Sequence, residues 1–349
     1  MATFLYSEIL RPLPGHSESA KPPANTHYWQ LATGSHIAYW VYDPPAGVAV
    51  KPEPIVFLHG GPGLHVTANS HRFYSQFARD GFRVFLFDQA GSGFSDRLPV
   101  KEYSFKRAVA DLEEIRKQIG APRVILIGHS WGAVLAANYM ASYPEHVAKV
   151  VFASPGPMWN LAEMHIYYER TAYSRTHAAD EWNLRVEEAL RLFELNPTAA
   201  EHFVSQSELS TWWQGKPDPS IEVCPGRETS LPTHVPNGGS NLYVNWAMRR
   251  DMLGTENDPH PHLRSNRTPA IILYGDCDFV DWSIPLDYRM TLPSARVFYF
   301  AYAGHTIEYT NSVEMVATIR SFLLDQKSEL PAWDGPQDPR WSRHHAASN

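Results

Sequence analysis

A short apolar run that leads straight into a glycine-flanked serine places the strongest constraint on how this chain can fold. The segment from Val124 to Ile127 is rich in β-branched residues and predicts a buried strand. Ser130 stands between Gly128 and Gly132, and the alanine-rich stretch after it predicts a helix. A chain that turns so abruptly from strand to helix strains the turn residue and leaves no room for side chains beside it. The pattern favours a nucleophilic serine above a helix N-terminus over an ordinary tight turn.

Strand-like and helix-like segments alternate along most of the chain. Runs of apolar, β-branched and aromatic residues predict further strands at 28–31, 36–42, 54–58, 83–87, 147–153, 270–274 and 295–301. Alternation of this kind is typical of parallel sheets that helices cover on both faces, so we predict an α/β fold with a mainly parallel, doubly wound sheet. The alternation stops between two late strands, where we expect a mostly helical insertion.

The same pattern divides the chain into four parts. A polar, proline-punctuated arm covers residues 1–26, and the α/β core covers 27–156 and 268–330. The insertion covers 157–267, and a tail that we expect to be loosely ordered covers 331–349.

Charge and cysteine content argue against several classes of protein. The net charge is −7 and no basic run offsets it, which argues against a nucleic-acid or anionic-membrane partner. No apolar run approaches the roughly 20 residues that a membrane span requires. Cys224 and Cys277 are the two cysteines of the chain, so we expect free thiols and a reducing compartment. The first residues lack the features of a signal peptide, and the sequence therefore predicts a cytoplasmic location.

Two side chains at strand ends supply what a serine nucleophile needs, a base that takes its proton and an acid that orients the base. In doubly wound sheets such groups gather where strands end. His305 follows the last of these strands and Asp278 follows the one before it, which gives the order serine, acid, histidine. Asp276 and Asp281 are the alternatives for the acid. We favour Asp278 because its distance from Gly275 lets it reach inward. The alternative for His305 is a histidine on a solvated loop.

Successive glycines at the end of another strand predict backbone hydrogen-bond donors. The segment His59-Gly-Gly-Pro-Gly63 follows the strand at 54–58, and its glycine pair lets the backbone turn N–H groups toward Ser130. The amide of Trp131, the first of the helix after the nucleophile, is the second donor. We expect His59 itself to be structural.

We expect no cofactor and no metal. His260 and His262 are separated by a proline, and a solvated loop without further ligands is favoured over a metal site. The Gly91-Ser-Gly93 segment lacks the lysine of a phosphate-binding loop. The expected partner is a small-molecule substrate, and the oligomeric state stays open.

Taken together, these motifs resemble the α/β-hydrolase superfamily, and most closely its proline-iminopeptidase-like branch. The resemblance covers about residues 50–156 and 268–325 and rests on His59-Gly-Gly-Pro-Gly63, Asp88-Gln89-x-Gly91-x-Gly93-x-Ser95, Gly128-His-Ser-Trp-Gly132, Gly275-Asp-Cys-Asp278 and Gly304-His305. It implies Ser130 as the nucleophile, with Asp278 and His305 as its relay. It further implies the amides of Gly61 and Trp131 as the oxyanion hole, and the insertion as a cap over the pocket.

The resulting hypothesis is a metal-free serine hydrolase that cleaves a carboxylic ester, lactone or amide through an acyl-enzyme. The branch has an arginine where this chain has Ala90, and a prolyl aminopeptidase is one alternative. The others are an enzyme that uses the scaffold for non-hydrolytic chemistry, such as a cyclase, lyase or acyl transferase, and a ligand-binding receptor.

Aromatic side chains in the insertion predict the character of the pocket. Any one of them is more often a core residue than a ligand contact, but so many above a site suggest an apolar lining and a hydrophobic substrate. They are Tyr167, Tyr168, Trp212, Trp213, Tyr243 and Trp246, of which the last four are our candidates for substrate binding.

Overall fold

A nine-stranded sheet runs through the part of the chain that the structure, a computed structural model, describes: residues 9–13, 21–159, 183–214, 223–224, 239–253, 258–335 and 337–339. Its strands are β1 (His27–Gln30), β2 (His36–Tyr42), β3 (Ile55–Leu58), β4 (Val84–Phe87), β5 (Val124–His129), β6 (Val147–Ala153), β7 (Ala270–Gly275), β8 (Ala295–Phe300) and β9 (Ala332–Trp333). They lie in the order β1-β2-β4-β3-β5-β6-β7-β8-β9. All pairs from β4 to β8 are parallel, whereas β1, β2 and β9 join antiparallel at the two edges. The predicted α/β fold with a mainly parallel sheet is confirmed.

The helices of the described residues follow the predicted alternation. They are α1 (Ala68–Tyr74), α2 (Phe105–Ile119), α3 (Trp131–Ser142), α4 (Leu184–Leu195), α5 (Pro197–Phe203), α6 (Gln206–Gln214), α7 (Leu242–Asp251), α8 (His260–Leu263), α9 (Ser283–Thr291) and α10 (Ser312–Leu323). Short 3₁₀ helices lie at Ser75–Asp80, Val100–Glu102, Pro144–His146 and Ile307–Tyr309. None of the helices described is both long and apolar enough to cross a membrane.

Two hydrophobic layers hold the sheet, one on each face. Successive residues of a strand point to opposite faces, so Val56 and Leu58 of β3 join one layer while Ile55 and Phe57 join the other. α2 and α3 pack on the first layer, and α1 and α10 on the second. Every residue of β3, β4 and β7 is therefore buried. This explains why the central strands are continuous apolar runs.

The regular secondary structure that the described residues of the insertion between β6 and β7 contain is helical. The insertion contains α4 to α8, and its proposed bounds stay 157–267; we call it the cap. Residues 9–13 of the N-terminal arm lie against it, because Arg185 of α4 donates to the carbonyl of Ile9 at 2.9 Å and the amide of Leu13 donates to Glu208 at 2.8 Å. Tyr167 and Tyr168 lie outside the described residues.

Two expectations from the sequence were wrong. Cys224 and Cys277 are not free thiols but form a disulfide that ties the cap to the loop after β7. A cysteine count says nothing about whether the fold brings the two sulfurs within bonding range. The segment after 330 is not wholly loose, because Ala332 and Trp333 form β9 on the edge of β8 and Arg289 donates to the carbonyl of Gly335 at 2.7 Å.

Candidate active site

Ser130 occupies a strained turn between β5 and α3. Its φ of 54° and ψ of −117° lie outside the conformations that residues with side chains ordinarily adopt. A Cβ on Gly132 would clash with the carbonyl oxygen of Leu58, so only glycine lets the first turn of α3 pass so close to the end of β3. Trp131 is the first residue of α3, where backbone N–H groups have no partner within the helix. The turn thus presents a serine at a helix N-terminus, as its sequence predicts.

An acid and a base lie together at the neighbouring strand ends. The Nδ1 atom of His305 is 2.8 Å from Oδ1 of Asp278, and both residues are only 4% exposed. The amide of Val280 donates to the same oxygen at 2.9 Å. Burial alone would raise the pKa of Asp278, but the charge of His305 and these hydrogen bonds hold it below its ordinary value. An ionised carboxylate on Nδ1 holds the ring in one tautomer and leaves Nε2 as its basic nitrogen.

The alternative acids point elsewhere. Asp276 accepts a hydrogen bond from the hydroxyl of Tyr299. Asp281 accepts the amide of Ser283 at 2.9 Å, next to the start of α9. Of the three carboxylates, Asp278 is therefore the one that the structure shows bonded to His305.

His129 connects the turn at Ser130 to the loop of His305. Its Nε2 lies 3.1 Å from the carbonyl oxygen of His305, and the two rings are 5.0 Å apart. Burial and the neighbouring charge of His305 lower the pKa of His129 to about 4, so its ring is neutral at physiological pH. The ring of Phe279, in the loop after β7, also contacts the ring of His305, at 4.2 Å between centroids. The contacts of His129 therefore place the loop of His305 against the residue directly before Ser130.

The loop after β3 passes directly beside Ser130. A methyl group on Gly60 would lie 3.1 Å from Cβ of Ser130. Burial lowers the pKa of His59 to about 3, so this ring is neutral as well. Its Nε2 accepts the amide of Gln89 at 2.9 Å, which leaves Nδ1 to donate to the carbonyl of Gly60 at 3.0 Å. His59 thus has the structural position expected from its sequence, inside the loop that carries Gly61.

Gln89 is a residue whose role the sequence analysis missed. Its side chain donates to the carbonyl of His59 at 2.9 Å and accepts the indole N–H of Trp131 at 3.3 Å. It therefore links the two segments that carry the expected oxyanion donors. The available signal was its place directly after Asp88 at the carboxyl end of β4, where polar groups gather in such sheets.

The aromatic candidates of the cap occupy two kinds of environment. Tyr243 has no exposed surface, and its hydroxyl donates to the carbonyls of Ala200 and Val204 at 2.8 Å each. Trp246 packs edge-on against its ring at 5.1 Å, so both fill the interior of the cap. Trp212 and Trp213 are half-buried. A substrate-contacting role of these two tryptophans stays a prediction.

Within the described ranges, one cluster has the composition of a metal site. It consists of Cys224, Asp276 and Cys277, whose ligand atoms lie within 4.8 Å of one another, but the two sulfurs are bonded to each other. His260 lies between two carboxylates, with Nε2 2.9 Å from Asp287. It is therefore engaged in an ion-pair cluster.

Comparison with known proteins agrees with the fold. The family model described as alpha/beta hydrolase fold matches residues 53–312. A proline iminopeptidase of Heyndrickxia coagulans is 35% identical over 131 residues, which is 36% of this chain and 43% of that enzyme, less than half its length. A proline iminopeptidase of Lactobacillus delbrueckii subsp. bulgaricus is 26% identical over 297 residues, 80% of this chain and 92% of that enzyme.

Two solved structures share the fold. The proline iminopeptidase of Mycobacterium smegmatis superimposes with a TM-score of 0.58 at 19% identity, covering 86% of this chain and 98% of that one. An esterase from Exiguobacterium antarcticum superimposes with a TM-score of 0.56 at 16% identity, covering 85% of this chain and 98% of that one. At such identities the likeness concerns the fold alone.

Proposed function

The chain belongs to the alpha/beta hydrolase fold family, and from that premise we propose a serine hydrolase that cleaves a carboxylic ester, lactone or amide of a small, largely hydrophobic molecule. One observation carries the proposal. His305 is hydrogen-bonded to Asp278 at 2.8 Å, and its backbone carbonyl contacts His129, the residue directly before the strained Ser130.

The reaction proceeds through an acyl-enzyme. His305 takes the proton of the Ser130 hydroxyl as its oxygen attacks the substrate carbonyl, and the amides of Gly61 and Trp131 stabilise the negative charge on the carbonyl oxygen. The tetrahedral intermediate collapses when His305 returns the proton to the leaving alcohol or amine. A water molecule, deprotonated by the same imidazole, then attacks the acyl-enzyme. His305 returns that proton to the Ser130 oxygen as the acyl–serine bond breaks, which releases the acid and restores the hydroxyl.

Asp278 stabilises the charge that this cycle places on the imidazole. Because its own pKa is held below the ordinary value, it stays ionised when His305 becomes an imidazolium. Its hydrogen bonds from His305 and Val280 also keep the carboxylate in one orientation. The group therefore acts through His305 and does not need to move during turnover.

A prolyl aminopeptidase is the second candidate, and the similarity to proline iminopeptidases favours it. Such an activity requires an acidic side chain to bind the charged amine of the substrate. Among the described cap residues, Glu208 is bound to Arg185 at 2.8 Å and Glu201 to the amide of Val100 at 3.0 Å. Because these two acids are already engaged and the aromatic residues of the cap predict an apolar pocket, we favour ester and lactone substrates over an N-terminal proline.

The disulfide bears on the prediction of a cytoplasmic location. The cytoplasmic prediction rests on free thiols, whereas a disulfide such as that of Cys224 and Cys277 is typical of oxidising compartments. A small-molecule substrate follows from the proposed chemistry.

The proposal is tested by Ser130→Ala. We expect this variant to fold normally and to lose at least about 10⁴-fold in kcat on p-nitrophenyl esters, because the residues of such a triad act as a unit. A fluorophosphonate probe should label the wild type at Ser130 alone, and Ser207→Ala, on an exposed position of α6, should keep both activity and label. Retained turnover in Ser130→Ala would overturn the mechanism. A higher kcat/KM on proline 4-nitroanilide than on the esters would instead favour the aminopeptidase.

A further inference from the structure

The start of α7 is hydrogen-bonded to the loop that carries Gly61. The backbone N–H of Asn241 donates to the carbonyl of Gly63 at 2.7 Å, and Nδ2 of Asn245 donates to the carbonyl of Pro62 at 3.3 Å. Gly63 has a φ of +83°, and a Cβ there would clash with the carbonyl oxygen of Asn241. The cap therefore contacts the bare backbone immediately after the expected oxyanion donor.

Asn241 is itself fixed from several sides. It has no exposed surface, and its Nδ2 donates to Oε1 of Gln206 at 2.7 Å and to the carbonyl of Gly91 at 3.0 Å. Its Oδ1 accepts the amide of Tyr243 at 3.1 Å, which caps the N-terminus of α7. One side chain thus joins α7, α6 and the loop after β4.

A buried polar network extends this anchor into the core. Oε1 of Gln206 also accepts the hydroxyl of Tyr103 at 2.9 Å, and Nε2 of Gln206 donates to the carbonyl of Leu98 at 2.7 Å. The hydroxyl of Tyr103 in turn accepts the amide of Leu98 at 2.9 Å. Buried networks whose groups are satisfied in this way are rigid, because moving one member leaves its partners without hydrogen bonds.

We propose that Asn241 and Asn245 are positioning residues for the oxyanion hole. They hold the backbone at Pro62 and Gly63 so that the amide of Gly61 points to the place where negative charge develops. The inference rests on the proposed serine-hydrolase function and deepens it, because it makes the docked cap a part of the catalytic support. Loss of a whole oxyanion donor costs 10²–10³-fold in kcat in other enzymes, so a displaced donor should cost roughly 10- to 100-fold.

Asn245→Leu tests the proposal, since it keeps the branched shape of the side chain and removes the donor to Pro62. We expect kcat on a p-nitrophenyl ester to fall by about 10- to 100-fold with KM within about twofold. The reason is that the amide of Gly61, which the variant displaces, stabilises the transition state and not the bound ester. The inhibition constant of a trifluoromethyl ketone, which forms an oxyanion on the serine, should rise in parallel. Asn245→Ala, which cannot overpack the site, should show the same pattern if Asn245→Leu does not fold.

Asn196→Ala is the matched control. Asn196 caps α5 within the cap by accepting the amide of Ala199 at 3.1 Å, and no described contact joins it to the loop of Gly61. This variant should lower the melting temperature and leave kcat unchanged. An unchanged kcat in both Asn245 variants, or a change confined to KM, would overturn the proposal. Failure of the serine-hydrolase assignment is distinguished by the wild type, which would then carry no fluorophosphonate label on Ser130.

Discussion

The carboxyl edge of the sheet and the cap above it differ in what decides where a side chain goes. At the sheet edge, Ser130, Asp278 and His305 each follow a strand, so the parallel topology brings them together. In the cap, Tyr243 and Trp246 lie on α7, and their place depends on how that helix packs against its neighbours. Strand order thus predicts a site, whereas helix packing must be observed.

The two regions also divide the support of one loop. Gln89 bonds to the His59 end of the loop after β3 from the core, and Asn241 and Asn245 bond to its Pro62 and Gly63 end from the cap. The predictions below compare what the core side and the cap side contribute to catalysis, and separate both from contributions to stability alone.

The largest effect is expected at the sheet edge, for Asp278→Asn. Neutralising the acid favours the wrong tautomer of His305 and leaves the imidazolium without a counter-charge, so kcat should fall by about 10⁴-fold. Steady-state kinetics on a p-nitrophenyl ester measure it. Asp276→Asn and Asp281→Asn are matched controls that should stay within a few-fold of the wild type. A larger loss in either control would move the acid to that position.

Gln89→Leu should have the next largest effect. It removes the bonds that link His59 to Trp131, and we expect about 10²-fold lower kcat with little change in KM. Gln76→Leu is the control, because Gln76 also donates to a backbone carbonyl, that of Phe73, but lies on the 3₁₀ helix after α1. A smaller loss for Gln89→Leu than for Asn245→Leu would show that the cap, and not the core, sets the position of the loop.

Glu113→Gln probes stability in the core at a distance from the chemistry. Burial would raise the pKa of Glu113, but hydrogen bonds from Arg116 and Tyr139 lower it to about 2. Because the pKa is lower in the folded state, ionised Glu113 stabilises the fold at pH values above 4.5, its ordinary pKa. That contribution disappears as the pH falls toward about 2. We expect the variant to lose about 2 kcal/mol of unfolding free energy at pH 7. Denaturant titrations should show the gap to the wild type closing in acid; a constant gap would contradict this account.

Tyr243→Phe should have the smallest effect. It removes a hydroxyl that donates to two carbonyls, which should cost about 1 kcal/mol of stability. Because the ring fills the cap interior, we expect the cost in the melting temperature and not in KM. A raised KM at unchanged stability would return Tyr243 to the pocket lining.

The fold and the sheet-edge residues could be predicted because both follow from local patterns. Apolar runs marked the strands, and the glycines around Ser130 marked a turn that no other residue allows. The disulfide, β9 and the contact between Asn245 and Pro62 could not be predicted in this way. Each depends on a contact between segments far apart in the chain, and side-chain identity says little about which distant backbone it will meet.

The reach of these contacts has a consequence during protein synthesis. Asn245 and Pro62 are 183 residues apart, and His129 and the carbonyl of His305 are 176 apart. Domains emerge from the ribosome N-terminal part first. In a nascent chain, Ser130 and the loop of Pro62 are therefore synthesised long before the cap can bind that loop and before His305 is translated. On the proposed mechanism, newly made protein is inert toward the esters and lactones around it until nearly the whole chain has been translated.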